Sequence, residues 1–230
     1  MTLVSQKPNA GGSPDLLKIG LSDGSSHYLK NIYLDCFYGI HPQNSKNSGS
    51  SSITIQSVSS LEQGSEISAN QEEAFSFSSA CFRAERAGMK LIAHAEQTRA
   101  GLARKLQKRG HEYSCVSAAI IQLANADMLN DRRYAEHWLS SRLSRKNGKV
   151  PGPRRLSAAL GNRGIPRDEL KAAFDKILDE ETELDLLKRF LAKKHRGNVS
   201  GFYSLRGLLK YEGFSSHIIN RYFEEKDEQE

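Results

Sequence analysis

The sequence predicts an all-α protein in which three tandem three-helix repeats stack into an elongated, curved body. Three observations predict this fold class. Hydrophobic residues recur with the period of an α-helix from about residue 75 onward, and a glycine-marked pattern occurs three times within that part. Ahead of it, a serine-rich tract separates the helices from a short N-terminal piece with the alternating pattern of a small β-hairpin.

The N-terminal piece, residues 1–41, is predicted to begin as a loose tail and to continue as a hairpin. Residues 1–15 are rich in Gly, Ser, Pro and Asn, which is typical of an irregular tail. In Leu17–Leu29, apolar and polar residues alternate around an Asp23-Gly24 turn signal. Asn31–Ile40 fits either a further strand or a short helix. Because an isolated hairpin is marginally stable in water, this one needs a surface to pack on, in its own chain or in a partner.

Residues 42–74 are predicted to be a disordered linker. Between Ser45 and Ser60, eight of sixteen residues are serine. Such a segment cannot bury enough apolar surface to offset the entropy that is lost on ordering it. The linker therefore separates the N-terminal piece from everything helical.

An internal repeat determines the predicted architecture of the remaining chain. Three segments align without gaps, starting at Thr98, Gly152 and Gly201, within predicted repeats that span residues 75–130, 131–180 and 181–226. In each segment, two leucines four residues apart form the buried stripe of a short helix, and a glycine then lets the chain leave that helix in a left-handed conformation. These equivalent positions are Leu102, Leu106 and Gly110, then Leu156, Leu160 and Gly164, and finally Leu205, Leu209 and Gly213. Each helix pair is preceded by another helix, so the unit is three helices in about 50 residues.

Positive charge is concentrated in the middle of the chain. The formal net charge is +6, but residues 81–178 alone carry twenty Lys and Arg against nine Asp and Glu. This distribution is the electrostatic footprint of a protein that faces a polyanion or an acidic partner. The alternative interpretation is an ordinary solvated helical surface, since helices often carry Lys and Arg.

Signals for catalysis, metal binding or a membrane are absent from the sequence. No Walker loop, GxGxxG, HExxH or GxSxG motif occurs, and the seven histidines are scattered without metal-ligand spacing. Cys36, Cys81 and Cys115 form no CxxC motif, so buried or inert thiols in a reducing cytoplasm are expected. No apolar run reaches the roughly 18 residues of a membrane span, and the N-terminus lacks the apolar core of a signal peptide. We therefore expect a cytoplasmic, non-enzymatic protein without a cofactor or metal.

The stretch Leu129–Gly164 contains two runs that occur together in a known family. A helix starts with the run LNDRRYA and carries further arginines, and the run GPRRLSAAL follows a Lys/Pro/Gly-rich loop and leads to RGI. Together with the first repeat, counted from Ala95, and a third repeat that ends in YEGF, these motifs resemble the RecX family of bacterial modulators of the RecA recombinase. The resemblance covers Arg83 to Glu225. Asn130 stands where the family often has Asp, and the loop KNGKVPG is slightly longer than usual.

The resemblance implies a fold of three tandem three-helix repeats and a role in homologous recombination, DNA repair and the SOS response. RecX proteins bind in the helical groove of the RecA–single-stranded-DNA filament, and they usually suppress the ATPase, strand-exchange and coprotease activities of RecA. The implied partners are therefore the RecA filament and the single-stranded DNA within it, with free DNA as a further candidate. A monomer is expected, and the basic face of the middle repeat is expected to make the contacts.

The candidate contact residues are the cations of this basic middle, because Lys and Arg that neutralise phosphate give salt-dependent affinity without reading the base sequence. The first candidates lie in the middle repeat: Arg132, Arg133, Arg142, Arg145, Lys146, Lys149, Arg154 and Arg155. The second candidates lie in the first repeat: Lys105, Lys108 and Arg109. Tyr134 and Trp138 are candidates for base stacking, but their spacing on the apolar face of the helix favours core packing.

Three other functions compete with regulation of the filament. A helical DNA-binding regulator that acts independently of RecA would use a helix–turn–helix-like pair, but the second helices carry few base-reading residues near their starts, and Asp168 and Glu169 would repel phosphate. A helical-repeat adaptor for an unrelated protein would bind neither DNA nor RecA. A nuclease would need a cluster of carboxylates, which the sequence lacks.

Overall fold

A small antiparallel sheet precedes a succession of helices along the chain. The computed structural model describes residues 1–8, 15–39, 54–145, 151–194 and 205–227. Within these residues, the strands are β1 (Leu3–Lys7), β2 (Leu17–Leu21) and β3 (Ser26–Leu29), and the helices are α1 (Asn31–Phe37), α2 (Ile55–Ser59), α3 (Ala69–His94), α4 (Arg99–Lys108), α5 (Tyr113–Asn125), α6 (Asp131–Leu143), α7 (Pro153–Gly161), α8 (Arg167–Ile177), α9 (Glu180–Lys194), α10 (Leu205–Tyr211) and α11 (Ser216–Asp227). The chain divides into two compact units, residues 1–96 with 102–129 and residues 97–101 with 130–230.

The three strands form one sheet in the order β1-β2-β3. The β2–β3 hairpin lies where the alternating pattern predicts it. The expectation of a loose tail over residues 1–15 is wrong for Leu3–Lys7, which pairs with β2 along its length. The side-chain amide of Gln6 also donates hydrogen bonds to the carbonyl oxygens of Val58 and Leu61, at 2.9 and 3.0 Å. These contacts come from residues that are distant in the sequence. They hold β1 in place, although the composition of β1 gives no clear strand signal.

The structure differs from the predicted linker over the last part of that segment. Residues 40–53 lie outside the described residues. α2 begins at Ile55 behind a capping box formed by Thr54 and Ser57, and α3 begins at Ala69, ahead of the predicted start at residue 75. Hydroxyl side chains lower the apolar content of a segment, but they also cap helix N-termini. Serine-rich composition therefore did not exclude helices here.

The N-terminal piece packs onto its own chain. Leu3, Ile19 and Leu29 of the sheet share a core with Val58 of α2 and Phe75 of α3, and all five side chains are buried. The segment that fitted either a strand or a short helix forms the helix α1. The hairpin therefore has the packing surface that an isolated hairpin lacks, and its own chain supplies that surface.

A buried ion pair joins the end of β3 to the middle of α3. Lys30 Nζ lies 2.7 and 2.8 Å from the two carboxylate oxygens of Glu85, and the hydroxyl of Tyr33 donates to the same carboxylate at 2.9 Å. The side chains of Lys30 and Glu85 are only 9% and 6% exposed. Burial, reinforced by the charge of Glu85, raises the pKa of Tyr33 well above its ordinary value. The phenol therefore remains a hydrogen-bond donor to the carboxylate at neutral pH.

The three cysteines, which are distant in the sequence, lie in one cluster of the first unit. Cys81 and Cys115 are buried, Cys36 is partly buried, and all three thiols are free. They pack with the buried rings of Tyr33 and Phe82. These thiols are therefore part of the core between the N-terminal piece and the first repeat.

Each of the three predicted repeats contains three helices, namely α3–α5, α6–α8 and α9–α11. In the first unit, Leu102 and Leu106 of α4 are buried against Val116 of α5. In the second unit, repeats 2 and 3 share one core that includes Leu160 of α7 and Leu209 of α10. The prediction of three three-helix repeats is confirmed, and the leucine stripes are their buried faces.

One glycine contact recurs between successive repeats. Gly164 and Gly213 follow α7 and α10 with φ values of 82° and 90°. A Cβ atom added at Gly164 would collide with the Cβ of Ala100, and one added at Gly213 would lie 2.9 Å from the backbone nitrogen of Arg154. Ala100 and Arg154 both occupy the third position of their aligned segments, so equivalent helix starts cover the glycine of the next repeat. Gly110 of the first repeat has a φ of 83°, but a Cβ there would meet no described atom within 4 Å.

Candidate functional site

The helix α6 carries the first group of candidate cations, and its start is held by two polar side chains. The side chain of Asn130 caps the helix by accepting a hydrogen bond from the backbone N–H of Arg133 at 3.0 Å. Asn and Asp cap helices about equally well, so the presence of Asn at this position preserves the cap. The buried carboxylate of Asp131 accepts a bond from the backbone N–H of Arg99 at 2.8 Å, which joins α6 to the start of α4.

Helical periodicity leaves two arginines of this segment in solvent. Ala135, Leu139 and Leu143 form the buried stripe of α6. Arg142, in the last turn, and Arg145, just beyond it, are exposed. Among the described residues, no carboxylate lies within ion-pair distance of either guanidinium group. Both charges are therefore open to an external anion.

Trp138 lies close to two guanidinium groups. Arg142 Cζ is 5.0 Å and Arg163 Cζ is 4.9 Å from the centroid of the indole ring. Trp138 and Tyr134 are partly buried and pack against the core of the second unit, as their spacing in the sequence favours. The indole restrains Arg142 through a cation–π interaction without neutralising its charge. Arg163 is absent from the predicted set, because only the tertiary structure brings it beside Trp138.

Arg154 and Arg155 already contact the third repeat. Arg154 Cζ lies 4.3 Å from the centroid of the Tyr211 ring, and its Nη1 donates to the carbonyl oxygen of Tyr211 at 3.4 Å. Arg155 Nε lies 3.4 Å from the buried carboxylate of Glu212. Both arginines are exposed, but Glu212 offsets the charge of Arg155. These contacts serve the packing of repeat 2 against repeat 3.

Arg132 belongs to an ion-pair network on the solvent side of α6. Its Nε lies 3.1 Å from the carboxylate of Glu136, and Lys176 Nζ of α8 lies 2.6 Å from the same group. Lys176, followed by Arg132, holds the pKa of Glu136 below its usual range. The ionised carboxylate therefore offsets part of the positive charge here. Arg133, the neighbouring candidate, is half-buried.

The remaining candidates lie outside this group. Lys105, Lys108 and Arg109 are exposed on α4 and in the turn that follows it, and they belong to the first unit. Lys146 and Lys149 lie outside the described residues. The first unit therefore carries an exposed basic group of its own.

The surface groups of these candidates are guanidinium and ammonium ions, which bind phosphates and carboxylates through charge-assisted hydrogen bonds. In the described part of the chain, no set of three or more His, Cys, Asp and Glu side chains is arranged to hold a metal ion. None of the described helices combines the length and the apolar character that crossing a membrane requires.

Comparisons with known proteins relate the chain to a family of regulators. No family model matches it. The Regulatory protein RecX of Treponema pallidum (strain Nichols) is 30% identical over 152 residues, which cover 66% of this chain and 90% of that protein. The protein of the same name from Ectopseudomonas mendocina (strain ymp) is 30% identical over 148 residues, which cover 62% of this chain and 94% of that protein.

A solved structure supports the same relationship at the level of the fold. A crystal structure of regulatory protein RecX aligns with a TM-score of 0.60 and 16% identity, covering 95% of this chain and 97% of that one. The sequence relationship extends over nearly the whole length of the two relatives. The chain belongs to the RecX family of regulatory proteins.

Proposed function

We propose that this protein regulates RecA by binding the RecA–single-stranded-DNA filament, and that it lowers the ATPase, strand-exchange and coprotease activities of RecA without catalysing a reaction itself. The observation that carries the proposal is the pair Arg142 and Arg145, which is exposed and has no ion-pair partner among the described residues. A filament presents phosphate groups as well as acidic side chains, and guanidinium groups bind either one.

The proposed contact residues rank by the interactions that they already make. Arg142 and Arg145 come first, because no carboxylate in the described part of the chain offsets their charges. Arg132 and Arg155 come last, since each already lies beside a carboxylate. The exposed cations on α4 form a separate group, which needs a variant of its own.

The test is single-stranded-DNA-dependent ATP hydrolysis by the cognate RecA, titrated with the full chain at two salt concentrations. We expect hydrolysis to fall at substoichiometric amounts of the chain, with a weaker effect at the higher salt because counterions compete for the phosphates. The variant Arg142→Glu/Arg145→Glu should need roughly tenfold more protein for the same inhibition, since two attractive contacts become repulsive.

The matched control is Lys171→Glu/Lys210→Glu, which changes the net charge equally at two exposed lysines of the second unit. This control should inhibit like the wild type, and circular dichroism should give the same helicity for both variants. Full inhibition by the folded arginine variant would exclude Arg142 and Arg145 as the contact residues. No inhibition by the wild type, together with tight binding to bare DNA, would favour a DNA-binding regulator that acts without RecA.

A further inference from the structure

A cleft of about 690 Å³ lies in the first unit between the sheet and α3. Its volume falls within the range of about 300–1,000 Å³ that is typical of small-ligand sites. The regulatory function proposed above makes no use of it. Its lining combines cations, aromatic and thioether side chains, and the amide of Gln122.

Two lysines face each other on the sheet beside this cleft. Lys7 of β1 is directly opposite Lys18 of β2, and Lys18 is directly opposite Tyr28 of β3. All three residues line the cleft, and Lys18 Nζ lies 5.6 Å from the centroid of the Tyr28 ring. Like charges at directly opposite positions destabilise an antiparallel sheet. Since no described carboxylate lies within ion-pair distance of either lysine, a bound anion would relieve this repulsion.

The buried acid of the lining does not neutralise these lysines. The carboxylate of Glu85 accepts hydrogen bonds from Lys30 Nζ at 2.7 and 2.8 Å and from the hydroxyl of Tyr33 at 2.9 Å. Because the charges of Lys30 and Glu85 cancel, these three residues together are neutral. The lining contains three further cations, Arg86, Lys7 and Lys18, and only one further acid, Asp15. The cleft therefore has an excess of positive charge.

The rest of the lining is aromatic and apolar. The rings of Tyr28 and Phe82 lie 5.1 Å apart between centroids, and the thioethers of Met89 and Met128 lie in the same cleft. Aromatic rings stack on nucleobases, and thioethers make favourable contacts with aromatic rings. The amide of Gln122 offers both a donor and an acceptor, as the edge of a base requires. These groups suit a flat, polar-edged ligand.

We propose that this cleft binds a nucleotide, with its phosphates held by Lys7, Lys18 and Arg86 and its base held by the partly exposed side chains of Tyr28 and Met89. A ligand that is both flat and anionic matches the whole lining. Phosphate alone would leave the aromatic and thioether groups unused, and an apolar ligand would leave the cations uncompensated. A free nucleotide and an unpaired nucleotide of a DNA strand offer the same chemistry, and the test separates these two sources.

The test measures the binding of two fluorescent probes to the full chain by anisotropy, in the absence of RecA. One probe is ADP labelled on its ribose, and the other is a 5′-phosphorylated thymidine dinucleotide labelled at its 3′ end. Saturable binding that is tighter for ADP supports a free nucleotide, and binding that is tighter for the dinucleotide supports a DNA strand. Lys18→Glu and Arg86→Glu should each weaken binding about tenfold. Met89→Trp, which fills the cleft without changing its charge, should weaken binding as much.

The matched control is Arg83→Glu, because Arg83 is an exposed arginine of the same helix that does not line the cleft. Its affinity should stay within about twofold of the wild type, as expected for a site outside the contact. Lys18→Glu replaces a repulsive cross-strand pair with an attractive one and is expected to fold, and thermal unfolding checks every variant. The proposal is overturned if neither probe binds saturably, if the cleft variants bind like the control, or if inorganic phosphate competes as well as unlabelled ADP. These outcomes do not depend on the proposed regulation, since RecA is absent.

Discussion

At the scale of single residues, the buried pair of Lys30 and Glu85 joins segments that lie 55 residues apart in the sequence. Taking two charges out of water is costly, and such a pair is tolerated only when both members and their hydrogen bonds are present. Here the hydroxyl of Tyr33 donates a further hydrogen bond to the carboxylate of Glu85. We therefore infer that the pair specifies where the sheet meets α3.

Removal of one member of this pair should be strongly destabilising. We expect Glu85→Gln to lower the free energy of unfolding by about 3–5 kcal/mol, because Lys30 would be left buried without its counter-charge. Urea unfolding followed by circular dichroism measures this change. The double variant Lys30→Met/Glu85→Leu should recover most of the loss.

The matched comparison is the pair of Lys176 and Glu136, in which the lysine side chain is 57% exposed. Lys176→Met should cost at most about 1 kcal/mol, since exposed ion pairs contribute little. Equal costs for Glu85→Gln and Lys176→Met would contradict the burial of the Lys30–Glu85 pair in solution.

At the scale of the helices, the glycines after the leucine stripes do two things. They let the chain leave each helix at a positive φ, which costs a residue with a Cβ atom strain. Gly164 and Gly213 also let the helix start of the preceding repeat approach the backbone closely. The same short pattern therefore ends a helix and creates the contact between repeats.

Alanine at these glycines should separate the two effects. Gly110→Ala, Gly164→Ala and Gly213→Ala should each cost about 1–2 kcal/mol, because all three residues adopt left-handed conformations. Gly164→Ala and Gly213→Ala should each lower the free energy of unfolding by about 1–3 kcal/mol more, since their Cβ atoms would collide with Ala100 and Arg154, respectively. Urea unfolding of the three variants measures the difference, and equal losses would show that the glycine contact adds no stability.

At the scale of the whole molecule, the excess positive charge and the hydrophobic cores are distributed differently between the two units. Each unit has hydrophobic clusters of its own, formed by the sheet and repeat 1 in the first unit and by repeats 2 and 3 in the second. The excess of positive charge lies in residues 81–178, which contribute to both units. A protein with this distribution attracts polyanions over a distance that depends on ionic strength.

The salt dependence of the proposed filament binding should reveal which cations contact phosphate. Replacement of Arg142 and Arg145 by Gln should reduce the slope of log K against log salt by about 1.4, since each phosphate contact on a single strand contributes roughly 0.7. Binding of the labelled chain to RecA filaments, assembled with a non-hydrolysable ATP analogue, measures this slope. Lys171→Gln/Lys210→Gln should leave it unchanged. Weaker binding with an unchanged slope would assign the two arginines to carboxylates of RecA and not to DNA.

Much of the helical part could be predicted, whereas the pairing of its side chains could not. Leu102, Leu106 and the equivalent leucines of the second repeat are buried, as their spacing predicts, whereas in the third repeat Leu209 is buried and Leu205 is partly buried. The capping role of Asn130 also follows from residue type and position. By contrast, Arg142 and Arg155 are alike in the sequence, and only the fold places the carboxylate of Glu212 beside Arg155. Arg163 was missed for the same reason, since its approach to Trp138 is a tertiary contact.

By itself, the sequence determined the three helical repeats, the hairpin and the resemblance to RecX, because helical periodicity, turn residues and helix-ending glycines act through neighbours a few residues away. Only the tertiary structure decided that β1 is a strand, that helices begin before residue 75, and which basic side chains already have partners. These features depend on contacts between residues that lie tens of positions apart in the sequence. The packing of the whole unit determines which of these residues come into contact. The cleft beside Lys18 is of this kind, since strands and helices from distant parts of the chain line it.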